Sequence, residues 1–277
     1  LSPPISIALA SSIAPVAGLV IGGVVFILGV ILMTLAKSTE PAVGWSASEE
    51  EAPPKEAPGE DGAEAGVVTR QNSIIRTSTV VRILFVLMFL TGAMYGVFDT
   101  SSVAFAEMLD NPNIAGTGLV IGGVISALMG FFFGMIRLNL ALYKQLTVCA
   151  VLLGVAYGSQ ILIEAEMTFY LVSAFAALTY APFLIVINSA VERAVPGRRL
   201  TEAITWVNSG MTCGVALGPT VAGIIVDFFG PPVGFDAGGL VALLIPLITL
   251  FSFRIIRRTV RDDAYEVALT SQKMGTP

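Results

Sequence analysis

Residues 79–105 read TVVRILFVLMFLTGAMYGVFDTSSVAF, a run of 27 residues with only two charged side chains, Arg82 and Asp99. A helix needs about 20 consecutive apolar residues to cross the roughly 30 Å hydrocarbon core of a bilayer. Six further runs of this kind lie at residues 15–36, 114–136, 145–163, 167–191, 202–226 and 233–253. The sequence therefore predicts an all-α polytopic membrane protein.

The cationic residues alternate between the two sides of these spans. All fifteen Lys and Arg residues fall in the odd-numbered loops, just inside the second run, or in the tail after the last run, whereas the even-numbered loops carry only acidic charge. Cationic loops stay cytoplasmic during insertion. We therefore expect a multi-pass protein of the plasma membrane, with the odd loops and the tail (254–277) in the cytoplasm.

The composition excludes several other classes. Hydrophobic residues make up 55% of the chain and charged residues 13%, about half the charged share of a soluble domain. The chain has no His, which rules out His-based triads and zinc sites, and we expect no metal and no cofactor. No basic face points to nucleic acid. A membrane enzyme would have Glu164 and Glu166 as its nearest catalytic candidates, with no nucleophile beside them, so we do not expect an enzyme.

Two segments lie before the second span. Residues 1–10 are apolar but too short to cross a bilayer; we interpret them as the end of a helix whose start is missing, and the chain as a fragment whose natural partner is a missing N-terminal half. Residues 37–78 combine acidic runs with Pro, Ala and Gly. Such a composition predicts a disordered cytoplasmic linker. A plain tether and a regulatory loop are the two interpretations.

An internal repeat appears at an offset of 216 residues. Pro3 then aligns with Pro219, Pro15 with Pro231, and the pair 22–23 with the Gly pair 238–239. Both copies run in the same direction through the membrane. Parallel repeats with an axis along the membrane normal are typical of one large class of secondary transporters.

The stretch APFLI at residues 181–185, followed by ERAVPGRRLTEA at residues 192–203, resembles helix ten, its inner loop and helix eleven of the major facilitator superfamily, especially bacterial efflux members. The resemblance implies that residues 1–36 end a first bundle, that residues 37–78 link the bundles, and that residues 79–253 form the second six-helix bundle. It also implies alternating-access transport of a small organic solute, with proton coupling as one hypothesis.

Two motifs depart from the family pattern. At the position of its cytoplasmic signature, only Gly134 and Arg137 remain, so Arg137 is given at most a weak gating role. A Gly-x-x-x-Gly-Pro pattern typical of antiporter helix five occurs instead in helix eleven, at Gly214, Gly218 and Pro219, with Gly223 after it. The spacing places small residues on one helix face, which favours close packing. A gating hinge at the proline is the alternative.

Polar residues inside the spans are candidates for the transport site. Asp99 is the acid furthest from the ends of a run, and a carboxylate at a helix centre costs several kcal/mol. It either faces a cavity and couples protons or lies at the outer interface. The other candidates for solute contact, with interhelical hydrogen bonding as the alternative for each, are Thr91, Tyr95, Tyr180, Asn188 and Asn208.

A charged cluster follows helix ten. Its members are Arg193, Arg198, Arg199 and Glu202. The family resemblance suggests a salt-bridged cytoplasmic gate, and a positive-inside anchor explains the arginines equally well. A non-transporting receptor or scaffold would keep the same topology. It would not need a water-filled cavity lined by Tyr95, Asp99 and Tyr180, and this cavity is the feature that separates the two functions.

Overall fold

The computed structural model describes residues 73–136 and 140–260. The predicted stub at 1–10, the predicted span at 15–36, residues 37–72 of the predicted linker, Arg137 and the tail from residue 261 onward lie outside the described residues. A short helix occupies the last residues of the range predicted to be linker.

Eight α-helices follow one another in the described residues, with no strand among them. They are α1 (Ile74–Thr77), α2 (Thr79–Met108), α3 (Asn113–Met135), α4 (Leu142–Gly158), α5 (Glu166–Ala194), α6 (Leu200–Phe229), α7 (Pro231–Phe251) and α8 (Phe253–Thr259). Short 3₁₀ turns follow α4 at Ser159–Leu162 and precede α6 at Gly197–Arg199. In the part of the chain that the structure describes, six spans that are long and apolar enough to cross a membrane are formed by α2, α3, α5 and α7 and by α4 and α6, each of the last two together with its adjoining 3₁₀ turn. They confirm the predicted all-α polytopic fold.

The observed helices extend past the predicted hydrophobic runs. Helix α2 continues to Met108, α5 to Ala194 and α6 to Phe229, each three residues beyond its run. These extra turns include polar residues such as Glu107 and Arg193, because a helix can continue past the hydrocarbon into the headgroup region. The two ends of the bundle differ in charge. We call the end that carries Lys144, Arg198 and Arg257 the basic end and the opposite one the acidic end.

Local chemistry accounts for two helix starts. The Ser78 side chain accepts a hydrogen bond from the Val81 backbone N–H at 3.4 Å and so caps α2. Between α6 and α7 the chain turns at Gly230, whose φ of 87° favours glycine. Pro231 then begins α7 at the first helical position, where its missing N–H costs nothing.

Helix α2 lies at the centre of the bundle and packs against α6 and α7, while α3 packs against α5, and α4 against α5 and α7. An aromatic core joins α2, α5 and α7 in the half nearer the acidic end. Its ring centroids lie 5.7–6.2 Å apart and belong to Phe98, Phe105, Phe169 and Phe235. Edge-on and offset ring pairs at this separation add to the energy of burial.

Small residues bring α2 and α6 into backbone contact. A methyl group built on Gly218 would lie 2.5 Å from the Ala93 carbonyl oxygen, and one on Gly96 would lie 2.6 Å from Pro219 Cδ. Gly214 meets the backbone of Phe89 in the same way. Gly214, Gly218 and Pro219 therefore lie in a tight seam, which supports the packing interpretation of the motif. Gly223 has no neighbour within 4 Å of a built methyl group and lies outside the seam.

Burial is uneven around the bundle. In α3 and in the span formed by α6, 6% and 17% of the most apolar stretch is buried, compared with 39–56% in the other four spans. Helices α3 and α6 therefore present most of their surface outward.

Candidate functional site: a tyrosine-lined cavity

A cavity of about 530 Å³ lies between α3 and α5, and side chains of α2 and α4 close part of it. Small residues line its two long sides. On α3 they are Gly118, Gly122, Ser126 and Gly130, and on α5 they are Ser173, Ala177 and Ala181. The four-residue spacing places each set on one helix face.

Gly122 of α3 leaves room that is not taken up by helix packing, whereas a methyl group built on Gly118 would clash with the Phe169 ring. A methyl group built on Gly122 would lie 3.9 Å from Ala177 Cβ, an ordinary van der Waals distance. On Gly130 it would lie 3.3 Å from Ala181 Cβ. A larger side chain at Gly122 would therefore fill the cavity, whereas one at Gly218 would force two helices apart. Glycine therefore has different roles at Gly122 and at Gly218.

Three tyrosines form the end wall. The Tyr180 ring centroid lies 5.4 Å from that of Tyr95 and 6.3 Å from that of Tyr157. Tyr157 is buried and also meets Phe98 edge-on at 6.0 Å. None of the three hydroxyl groups has a hydrogen-bond partner among the described residues, so each can donate to and accept from a solute or water.

No charged side chain lines the cavity within the described residues. Asp99 lies one helical turn beyond Tyr95, toward the acidic end, and is half-buried. Because residues four apart share a face of a helix, Asp99 lies on the same side of α2 as the Tyr95 ring. It is next to the cavity wall but not part of its lining.

The other polar candidates are not in the lining. The Thr91 hydroxyl is buried and donates to the Leu87 carbonyl at 2.8 Å. The Asn188 amide donates to the Leu184 carbonyl at 2.8 Å. Both bonds lie within one helix, so neither is an interhelical hydrogen bond. Asn208 is exposed on α6.

The charged cluster at the basic end is built around Glu202. Its Oε1 accepts hydrogen bonds from the Ser73 hydroxyl at 3.0 Å and from the Ile74 backbone N–H at 2.8 Å. Glu202 thus holds the segment that enters α2 against the start of α6. Arg193 and Arg198 are exposed at the same end, with Arg199 half-exposed, and Arg137 lies outside the described residues.

Sequence reasoning missed Phe98, Tyr157 and the small-residue faces. The spacing of Gly118, Gly122, Ser126 and Gly130 is visible in the sequence and could have indicated a common face. Nothing in the sequence separates Tyr157 from the other aromatic residues of the spans. No group of His, Cys, Asp and Glu that could hold a metal occurs among the described residues.

Comparison with protein families matches residues 143–272 to the Major Facilitator Superfamily, just under half of the chain. The matched range begins in α4 and includes α5 to α8. Comparisons with curated proteins and with solved structures found no match. The six membrane-length helices and the family match together support a multi-pass membrane transporter.

Proposed function

We propose that the chain is part of a secondary active transporter that moves a small organic solute by alternating access. The tyrosine-lined cavity carries this proposal. Its volume of about 530 Å³ lies within the range of roughly 300–1,000 Å³ typical of small-molecule sites. A bundle with only a structural role does not need such a space between its helices.

The exposed helices suggest where the rest of the transporter packs. Alternating access requires two bundles that rock about a site between them. We place the first bundle, the N-terminal half of the protein, against α3 and α6, the two least buried spans. The remaining outer surface faces the lipid bilayer.

The chemistry of the walls limits the solute. Three rings, several Gly and Ala surfaces and three free hydroxyl groups suit an organic molecule with apolar faces and a few hydrogen-bonding groups. The positive-inside rule places the basic end in the cytoplasm of a plasma-membrane protein. Efflux from that side is the direction implied by the family resemblance.

Cysteine labelling tests the proposal without knowledge of the solute. In a background with Cys149 and Cys213 replaced by Ala, Ser126→Cys would sit in the cavity and Leu128→Cys on the exposed face of the same helix. We expect a membrane-impermeant thiol reagent to label Ser126→Cys from both sides of the membrane and to leave Leu128→Cys unlabelled. Protection of Ser126→Cys from both sides would instead indicate a receptor or scaffold.

Proton coupling is assigned to Asp99 within the same proposal. A carboxylate near the cavity is costly when charged, and protonation removes that cost. Once a transported solute is known, Asp99→Asn should abolish the pH dependence of its flux through the full-length protein. An unchanged pH profile would remove Asp99 from the coupling mechanism.

A further inference from the structure

Helix α8 forms a basic face at one end of the bundle. Ile256 and Val260, four residues apart, are buried against the bundle, whereas Arg254, Arg257 and Arg258 are exposed. The helix follows directly after the end of α7 and contacts α4. The arginines therefore lie at the level where the membrane spans end, next to the headgroups of a surrounding bilayer.

Two cations converge on one ring at this place. Lys144 Nζ lies 6.0 Å and Arg257 Cζ 5.8 Å from the ring centroid of Tyr143. Phe253 meets the same ring edge-on at 5.5 Å, which fixes α8 against the start of α4. A cation within about 6 Å of an aromatic centroid is attracted by the ring. The Tyr143 ring thus lies close to a lysine and an arginine from two different helices.

Within the part of the chain that the structure describes, the pair has no anion of its own. Within the described residues, neither Lys144 nor Arg257 forms an ion pair. Since each lies close to the same centroid, the two charges are at most about 12 Å apart. A headgroup phosphate at this place can accept charge-assisted hydrogen bonds from the Arg257 guanidinium and is attracted by the Lys144 ammonium.

We propose that Lys144, Arg257 and the Tyr143 ring bind the phosphate of an anionic phospholipid at the junction of α4 and α8. The position next to the bilayer surface selects a lipid headgroup over a soluble phosphate. Basic pockets between membrane helices bind anionic headgroups in this way. The proposed lipid site shares no residue with the lining of the cavity. Its test therefore does not depend on the identity of the transported solute.

Lipid binding to the purified full chain tests the site. Native mass spectrometry in mild detergent would compare phosphatidylglycerol with phosphatidylcholine, and a separate arm would add inorganic phosphate as competitor. We expect the first phosphatidylglycerol to bind more tightly than phosphatidylcholine. Lys144→Gln with Arg257→Gln should weaken it by about 30-fold, the effect expected from two cations at an anionic headgroup.

Two other arginines of α8 serve as the control. Arg254→Gln with Arg258→Gln removes the same total charge from the basic end without touching the Tyr143 ring and should weaken binding less than Lys144→Gln with Arg257→Gln does. Tyr143→Phe keeps the ring and should bind as the unchanged protein does, whereas Tyr143→Leu should bind more weakly. Equal losses in the two charge pairs would reduce the site to a general basic surface, and displacement of the lipid by millimolar inorganic phosphate would overturn the lipid assignment.

Discussion

The close packing of α2 against α6 predicts that the same substitution has different effects on stability at two glycines of α6. Gly218 and Gly223 lie five residues apart on α6, and each gains the same methyl group when it is changed to Ala. At Gly218 that methyl would lie 2.5 Å from the Ala93 carbonyl oxygen and 3.1 Å from Ala93 Cα. At Gly223 it would meet nothing within 4 Å.

The difference between the two variants isolates the cost of overpacking. Both substitutions gain the helix propensity of Ala over Gly, roughly 0.5–1 kcal/mol, and this gain cancels in the comparison. Relief of the contact at Gly218 requires the α2 and α6 backbones to separate, because no flexible side chain can move away instead. Forced core contacts of this kind cost about 1–3 kcal/mol. We therefore expect Gly218→Ala to be less stable than Gly223→Ala by about 1–3 kcal/mol.

The assay is equilibrium unfolding of the purified chain in mixed micelles with increasing sodium dodecyl sulfate, followed by far-UV circular dichroism. Gly223→Ala should be as stable as the unchanged protein or slightly more stable. Equal stability of the two variants would refute the close seam and would return the glycine and proline motif to the hinge interpretation, in which the helices are loosely coupled at this point.

Two further predictions concern polar groups outside the cavity. Glu202→Ala should speed amide hydrogen exchange in residues 73–77, because it removes the oxygen that accepts hydrogen bonds from Ser73 and Ile74. The matched variant Glu192→Ala, at an exposed position on α5, should leave exchange there unchanged, and equal exchange in both variants would argue against the contact. The fully buried Gln160 amide has no hydrogen-bond partner among the described residues, and such groups cost about 1–3 kcal/mol each. Gln160→Met should therefore raise the free energy of unfolding in the same micelle titration, and a loss of stability would mean that the amide has a partner such as a buried water.

The sequence alone was sufficient for the class of fold. The runs at 79–105, 114–136 and 233–253 were recognised as spans because crossing a bilayer depends on the length and hydropathy of one continuous segment. The small-residue spacing from Gly214 to Gly218 was also readable, since residues four apart share a helix face whatever the helix packs against. Each of these properties is local to one helix.

Only the tertiary structure decided which polar residues lie together. Tyr95 and Tyr180 were both candidates, yet their 5.4 Å contact and the third ring of Tyr157 depend on how α2, α4 and α5 are rotated about their axes. Thr91 and Asn188 were equally good candidates for solute contact in the sequence, but each side chain donates a hydrogen bond to a backbone carbonyl of its own helix. In a chain whose helices are apolar on nearly every face, hydropathy says little about how each helix is rotated about its own axis. That rotation, and so the neighbour that each helix face contacts, is set by the packing of the six described spans together.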